Sequence, residues 1–395
     1  LLLDFANSKT LDPRITFTRN STATYVDELG VIKTAAAGEG RIDHDPATGE
    51  CLGFLLEESR TNIFFPSIIP TTSSNSWVID GASLTANAGL APDGANTATL
   101  YDHSASTGNS RFYTFTGGTI RNEAYSFFIK DGGGAGIFKF QFQSGFGTGG
   151  AAGLCEFDFS TNTLGGAFPT SSPEKIQASP LANGWFRITA TNNVTVTGLT
   201  SGVLVFGGSS STGNTLVWGF QREGATTFST SYIPTSGSTV TRNGDEAEIT
   251  GTDFSSWYNQ SEGTLFVQGT MPHNNPSGYP SVYTIRTNLT NSNEIDLTRA
   301  HNNKNLKIYL HSGNSLEYAA GIDPLPDNYK VAVGYKANNF NSAGNGTLGT
   351  LDTSGAVPVG PDRFLIDNAN TQHHISRISY YPTRLSDSTL EALTK

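Results

Sequence analysis

Residues 225–250 read ATTFSTSYIPTSGSTVTRNGDEAEIT, and the architecture turns on this stretch. Phe228, Tyr232, Ile233 and Val240 fall among polar residues in a period-2 pattern, which puts one set on one face and predicts strand rather than helix. Pro234 and Gly237 break the run into two short extended pieces joined by a turn. From Asp245 the pattern changes and leads into FSSWYNQSEGTLFVQG, so the stretch closes one domain and opens another. It also repeats the start of the chain, because Thr241-Arg242-Asn243 matches Thr18-Arg19-Asn20. One reading is a pair of similar edge strands, each with an arginine crossing to a neighbour's carboxylate or carbonyls. The other is chance repetition in a chain rich in Thr and Asn.

Working outward, 395 residues predict two or three domains at roughly 100–200 residues each. Hydrophobic residues make up 36%, charged residues 15% and aromatic residues 11%, with 44 glycines. Strands need β-branched and aromatic residues and turns need Gly, Asn and Ser, so this mixture predicts an all-β chain. The aromatics suffice to fill cores between sheets and argue against disorder. The net charge of -10 and the lack of any Lys/Arg stripe exclude nucleic acid as an expected partner. No run of 18 apolar residues predicts a membrane span. LLLDFANS lacks a basic n-region and a cleavage site, so no signal peptide is expected, and the chain reads as a processed product or a piece of something longer. Cys51 and Cys155 are too few for a disulfide scaffold and are expected as small apolar side chains.

Residues 1–65 read as short extended pieces between turns, ending in GFLLEESRTNIF, and are expected to wrap onto the domain that follows. Residues 66–250 predict one β-sandwich, with strands near Ser76–Asp80, Thr97–Tyr101, Arg111–Phe115, Ala124–Ile129, Phe138–Gln143, Leu154–Asp158, Trp185–Ala190, Asn193–Thr197 and Leu216–Arg222. Residues 251–395 predict a second sandwich. Its last stretch, SDSTLEALTK, switches to helical spacing behind a Ser386 or Asp387 cap. Trp77, Trp185, Trp218 and Trp257 sit within or beside strand patterns and are expected in the cores.

The run LDFANSKTLDPRITFTRNSTATYVDELGVIKTAAAGEGRIDHDPATGECLGFLLEESRTNI resembles a module of bacteriophage virion proteins, particularly tail-fibre-like structural proteins. The middle part, with SWVIDGASLTANAGLAPDGANTATLY, YSFFIKDG, NGWFRI and WGFQREGATTFSTSYIPTSGSTVTR, is similar to carbohydrate-binding-type jelly rolls. The final part, with VAVGYKANNFNSAGNG and HHISRISYYPTRLSDSTLEALT, resembles laminin-G or concanavalin-A-like sandwiches. The resemblance implies a non-enzymatic virion protein displaying lectin-like β-sandwiches on the particle surface. Its implied partners are other virion proteins, copies of itself (a homotrimer if it is a fibre) and host cell-surface polysaccharide. No cofactor is implied beyond a structural calcium ion of the kind such sandwiches hold, for which the loop carboxylates Asp93, Asp102, Asp323 and Asp327 are available.

The residues themselves offer little catalytic chemistry. Asn293-Glu294-Ile295-Asp296-Leu297-Thr298-Arg299 is similar to the Glu-x-Asp-x-x-Glu strand of retaining jelly-roll glucanases. Retention needs a second carboxylate facing the same cleft, and here Arg299 or Thr298 stands in its place. His373-His374 are strand neighbours that point to opposite faces and cannot readily share one metal ion. Asp43-His44-Asp45 with Glu50 reads as an Asp-Pro turn before it reads as a hard-cation loop. Sugar binding asks for exposed aromatic faces with hydrogen-bonding side chains beside them. The stretch His273–Pro280 and His301-Asn302-Asn303 carry such groups, and Tyr279, Tyr283 and His311 are the candidate carbohydrate-binding residues.

Overall fold

The computed structural model describes residues 1–103, 110–114, 118–120, 123–142, 153–167, 176–192, 196–199, 204–207, 212–272, 280–287, 290–299, 305–322, 327–366 and 372–395. The fold is all-β. Two sandwiches are present, each with its own core, and the longest helix, Asp387–Leu393, closes the chain.

The middle sandwich packs two six-stranded sheets face to face. One runs Ile176–Pro180, Trp185–Asn192, Glu123–Gly133, Asn214–Glu223, Ala98–Asp102, Ser83–Gly89. The other runs Thr163–Ala167, Gly153–Asp158, Ile137–Phe142, Leu204–Gly207, Arg111–Thr114, Trp77–Asp80. Alternating positions send Phe112, Phe127, Phe138, Phe140, Phe206 and Phe220 into one aromatic core. Phe112 and Phe206 stack at 4.7 Å, and Phe127 meets Phe206 edge-on at 5.0 Å, the offset and T-shaped geometries rings prefer. Cys155 is buried here, whereas Cys51 is half-buried on another strand. The expected strands are present, with part of Asn193–Thr197 outside the described residues. Ser83–Gly89, Thr163–Ala167 and Ile176–Pro180 carry too few large apolar side chains to show the pattern.

The second sandwich corrects the expected domain plan. Its eight-stranded sheet runs Thr347–Leu348, Asn341–Gly344, Asn328–Lys336, Glu262–Thr270, Gln372–Tyr381, Cys51–Glu57, Arg41–His44, with Leu2–Asp4 also pairing on Gln372–Tyr381. Its seven-stranded sheet runs Thr16–Thr18, Glu246–Thr250, Arg363–Ile366, Ser281–Thr287, Thr290–Arg299, Leu306–Ser312, Ser315–Ile322. Residues 1–65 therefore supply strands to both sheets of the C-terminal sandwich and do not simply pack on residues 66–250. The expected contact with the middle domain is made by the hairpin Ala23–Val26 and Ile32–Ala35, where Ile32 meets Phe128, Trp185, Trp218 and Tyr232. The physical reason is an apolar one: Phe54 and Leu56 complete the core built by Val267, Val331, Ile375 and Ile378. Gly53 shows how close the weave is. Its φ is +105°, and a Cβ there would come within 2.3 Å of the Ile375 carbonyl oxygen.

Residues 225–250 also depart from expectation. Only Val240–Arg242 and Glu246–Thr250 are strands, while the piece around Phe228–Ile233 is irregular although largely buried. Side chains take the place of a ladder. The N–H groups of Thr230, Ser231, Ile233 and Thr235 donate to Glu223 Oε2 (3.0 Å), Glu57 Oε1 (2.7 Å), Gln221 Oε1 (2.6 Å) and Ser67 Oγ (2.9 Å). The tripeptide echo is structural. Arg19 donates to Asp245 Oδ1 (3.0 Å) and to the carbonyls of Ala36 and Glu39, and Arg242 donates to the Glu58 carbonyl (2.7 Å) beside Glu57.

Between the two arginines lies Arg41, which donates to Glu57 Oε2 (2.7 Å), to Asp245 Oδ2 (2.5 Å) and to the Thr24 carbonyl (2.8 Å). The side chains of Arg19, Arg41, Glu57 and Asp245 are fully buried. Burial alone would raise the Glu57 carboxyl. Arg242 and Arg41, with two hydrogen bonds from Ser231, hold it far below the usual carboxylate range. This ionic seam ties the N-terminal segment, the exit of the middle sandwich and the entry to the C-terminal one into one buried unit.

Candidate functional site

The seven-stranded sheet has two unlike faces. Tyr283, Ile285, Ile295, Leu297, Ile308 and Leu310 point into the core. Pleating sends the alternate positions outward. Register then sets these side chains in two rows across the strands. Arg363 stands opposite Arg286, Arg286 opposite Glu294, and Glu294 opposite His311. In the next row Leu365 stands opposite Thr284, Thr284 opposite Asp296, and Asp296 opposite Tyr309.

Within these rows the charges are unevenly satisfied. Arg363 lies 3.4 Å from Glu248 and 3.1 Å from Asp362. Glu294 turns its Oε1 toward His311 Nδ1 at 3.3 Å, a distance without hydrogen-bond alignment, since that nitrogen has no bonded partner among the described residues. Arg286 has no ion pair within 4.0 Å among the described residues, and its Nε is buried without a partner. Thr284 donates to Asp296 at 2.8 Å. Burial, and then the like charge of Asp296, push the Glu294 carboxyl up to about 7, against partial relief from Arg286. Burial also raises Asp296, opposed by the hydroxyls of Thr284 and Ser281 and by the charges of His311 and Arg286. Tyr309 lies over His311, 6.3 Å between centroids and 24° between planes, which sets a small aromatic platform beside the acids.

The predicted binding residues therefore separate. His311 is on this outer face with its side chain 26% exposed. Tyr283 is 1% exposed in the core, where its ring has no face open to a sugar, so its expected stacking role is corrected by burial. Tyr279 lies outside the described residues, as do 273–278 and His301-Asn302-Asn303. Arg286 and Glu294 were missed as neighbours of His311 because only sheet register brings them together, whereas Tyr309 shares the strand of His311 two residues away. The period-2 alternation of Ser281–Thr287 was the available signal.

The glucanase-like motif does not assemble an acid pair of the retaining kind. Glu294 and Asp296 share one strand and one face. Thr298 donates to the Pro280 carbonyl at 3.0 Å, and Arg299 turns to the core side, 3% exposed, donating to the Met271 carbonyl. No carboxylate occupies the third position of the motif.

The remaining candidates resolve into structure. His373 is buried in the core, and burial pulls its imidazole down to about 3. His374, on the opposite face, sets Nε2 2.8 Å from Asp43 Oδ2. Asp45 caps its turn through the N–H groups of Ala47 and Thr48. Asp93 does the same for Ala95. Among the described residues no three His, Cys, Asp or Glu side chains converge, and Asp323, one of the four loop carboxylates considered for calcium, lies outside them.

A cleft of about 980 Å³ lies where the N-terminal segment and the two sandwiches meet, lined by Tyr25, Asp43, Arg187, Thr189, Gln372 and His374. Its charged groups are already engaged. Arg187 donates to Ser126 Oγ (2.9 Å) and the Thr230 carbonyl (2.6 Å), Gln372 donates to Glu57 (3.0 Å), and Asp43 holds His374. The sheet face, by contrast, holds Arg286 without an ion pair among the described residues.

No known family model matches the chain, and no curated protein matches it. Partial matches among solved structures include the CBM40 of the Ruminococcus gnavus IT-sialidase bound to alpha2,3 sialyllactose, at 16% identity over 35% of this chain and 84% of that one, with a TM-score of 0.30. The NanB sialidase from Streptococcus pneumoniae matches at 10% identity over 38% of this chain and 26% of that one, with a TM-score of 0.31. The binding domain of Botulinum neurotoxin DC in complex with rat synaptotagmin II matches at 11% identity over 38% and 40%, with a TM-score of 0.32. At these scores the likenesses carry no argument about what this chain does.

Proposed function

We propose that this chain is a non-enzymatic structural protein of a phage virion, of tail-fibre or tailspike kind, whose C-terminal sandwich attaches to host-surface glycan through the outer face of its seven-stranded sheet. One observation carries the binding reading. Arg286, Glu294, Asp296, Tyr309 and His311 stand side by side on three adjacent strands as half-satisfied polar groups around an aromatic pair. Sugars are held by this combination of donors, acceptors and ring faces. A carboxyl shifted by burial and a neighbouring like charge also makes Glu294 a functional-site candidate. The virion setting draws on the resemblance of residues 3–63, and self-association into a trimer belongs to that same reading.

The full-length protein, printed against a panel of bacterial capsular and surface polysaccharides, tests the proposal. Binding by wild type that Arg286→Ala and Tyr309→Ala each weaken supports it. Absence of binding to any glycan, together with labelling of the capsid rather than the tail in electron micrographs, favours a cement or decoration protein instead. A polysaccharide depolymerase is the second reading, because Glu294 and Asp296 share a face and Glu294 holds its proton near neutrality. Reducing ends that appear on incubation and vanish with Glu294→Gln would establish it.

A further inference from the structure

We infer that the glycan taken by this face carries a carboxylate, held by Arg286 beside Arg363, so that the ligand class is an acidic oligosaccharide of the uronic-acid kind. This rests on the glycan-binding reading above and narrows it. Arg286 and Arg363 are direct cross-strand partners on the open face. Like charges directly opposite in an antiparallel pair destabilise a sheet. Arg363 has Glu248 and Asp362 within 3.4 Å, whereas Arg286 has no described carboxylate within 4.0 Å and meets the charges of Glu294 and Asp296 only at longer range. The carboxylate placed to relieve it, Glu294, turns instead to His311. The result is a guanidinium held between strands with its fork unclaimed by any described residue, and an anion is what such a position lacks.

A carboxylate fits better than a point anion. Its two oxygens match two parallel N–H groups of one guanidinium. Next to it, a protonated Glu294 is a hydrogen-bond donor and not a repelling charge, and Asp296 is already bonded by Thr284. Arg286 and His311 stand two strands apart, about 10 Å at the usual strand spacing. A ring carrying the carboxylate can sit at Arg286 while its neighbour lies on the Tyr309–His311 pair. The whole chain carries -10 charges and repels polyanions at long range, so preference for an acidic sugar must arise at a local site.

The test is calorimetric titration of the full-length protein with oligogalacturonate and with the same oligomer after reduction of its carboxyl groups to alcohols. The acidic form should bind at least ten-fold tighter. Arg286→Gln should erase that ratio, and Arg286→Lys should keep part of it. Far-UV circular dichroism reports whether each variant is folded, and the wild-type ratio decides even if Arg286→Gln does not fold. Equal binding of acidic and neutral forms overturns this inference and leaves glycan attachment standing. A preference that survives in Arg286→Gln overturns it as well, as does dextran sulfate binding with the same affinity as oligogalacturonate. If no saccharide on the polysaccharide panel or in the titrations binds at all, the glycan-attachment reading fails too.

Discussion

Replacing Asp245 with alanine should destabilise both sandwiches together. Its carboxylate accepts from Arg19 (3.0 Å), from Arg41 (2.5 Å) and from the Glu57 N–H (2.8 Å), and every side chain involved is buried. Removing it leaves two guanidiniums facing each other without water. Breaking a buried ion pair from one side costs about 3–5 kcal/mol, because a charge stays buried uncompensated. A chain of 395 residues gains about 0.8 kcal/mol/K of unfolding entropy at the usual per-residue value, so about 4 kcal/mol lowers Tm by about 5 °C if the chain melts as one unit. Scanning calorimetry measures it, with Asp245→Asn as a milder variant that keeps the shape and some of the hydrogen bonds. Lys9→Ala, at the solvent-exposed Lys9–Glu28 pair, is the control and should leave Tm unchanged. An Asp245→Ala protein melting at the wild-type temperature refutes the reasoning. A split endotherm in which only one sandwich moves refutes the idea of a shared seam.

Residues 245–395 expressed alone keep Glu246–Thr250 but lose the strands Leu2–Asp4, Thr16–Thr18, Arg41–His44 and Cys51–Glu57, which bares an edge of Gln372–Tyr381; the fragment should aggregate, and size-exclusion chromatography should show recovery when residues 1–65 are supplied. Tyr283→Ala should cost about 3–5 kcal/mol in denaturant titrations as a core cavity, whereas Tyr283→Phe should be neutral or stabilising because the buried hydroxyl has no hydrogen-bond partner among the described residues. His311→Ala should leave stability nearly unchanged while weakening glycan binding. Glu294 is faced by Asp296 on its own strand, by Arg286 on one neighbour and by His311 on the other, and its folded value of about 7 lies above its ordinary 4.5. The folded chain then keeps a proton that the unfolded chain has released, so this group's contribution to stability falls as pH rises from about 4.5 to 7. Glu294→Gln should flatten that part of the Tm-against-pH curve, and an unchanged slope would contradict the assignment.

The all-β class was legible because period-2 alternation and turn residues report on the chain locally. The C-terminal helix was legible for the same reason: Ser386 caps it by accepting from the Thr389 N–H at 3.2 Å, and Leu390 is buried. The weave of residues 1–65 was not. Leu3 pairs with Ile378 and Leu55 with His374, and nothing local in either partner announces the other. Arg41 sits in RIDH, a string that looks like an exposed strand, yet it is 0% exposed because its partners Glu57 and Asp245 come from elsewhere in the chain. The site shows the same division. His311 could be chosen for its chemistry. The separation of Tyr283 from Arg286, inward against outward on one strand, needed the register of that strand against Thr290–Arg299.

Glycan attachment through the outer sheet face is most directly tested by hydrogen exchange of the full-length protein with and without a saturating oligosaccharide taken from the polysaccharide panel. Peptides covering 281–287, 293–299 and 306–312 should gain protection on binding, with the rest of the chain unchanged. Protection confined to 176–192 and 226–233, at the cleft between the sandwiches, would place the ligand elsewhere and contradict the account.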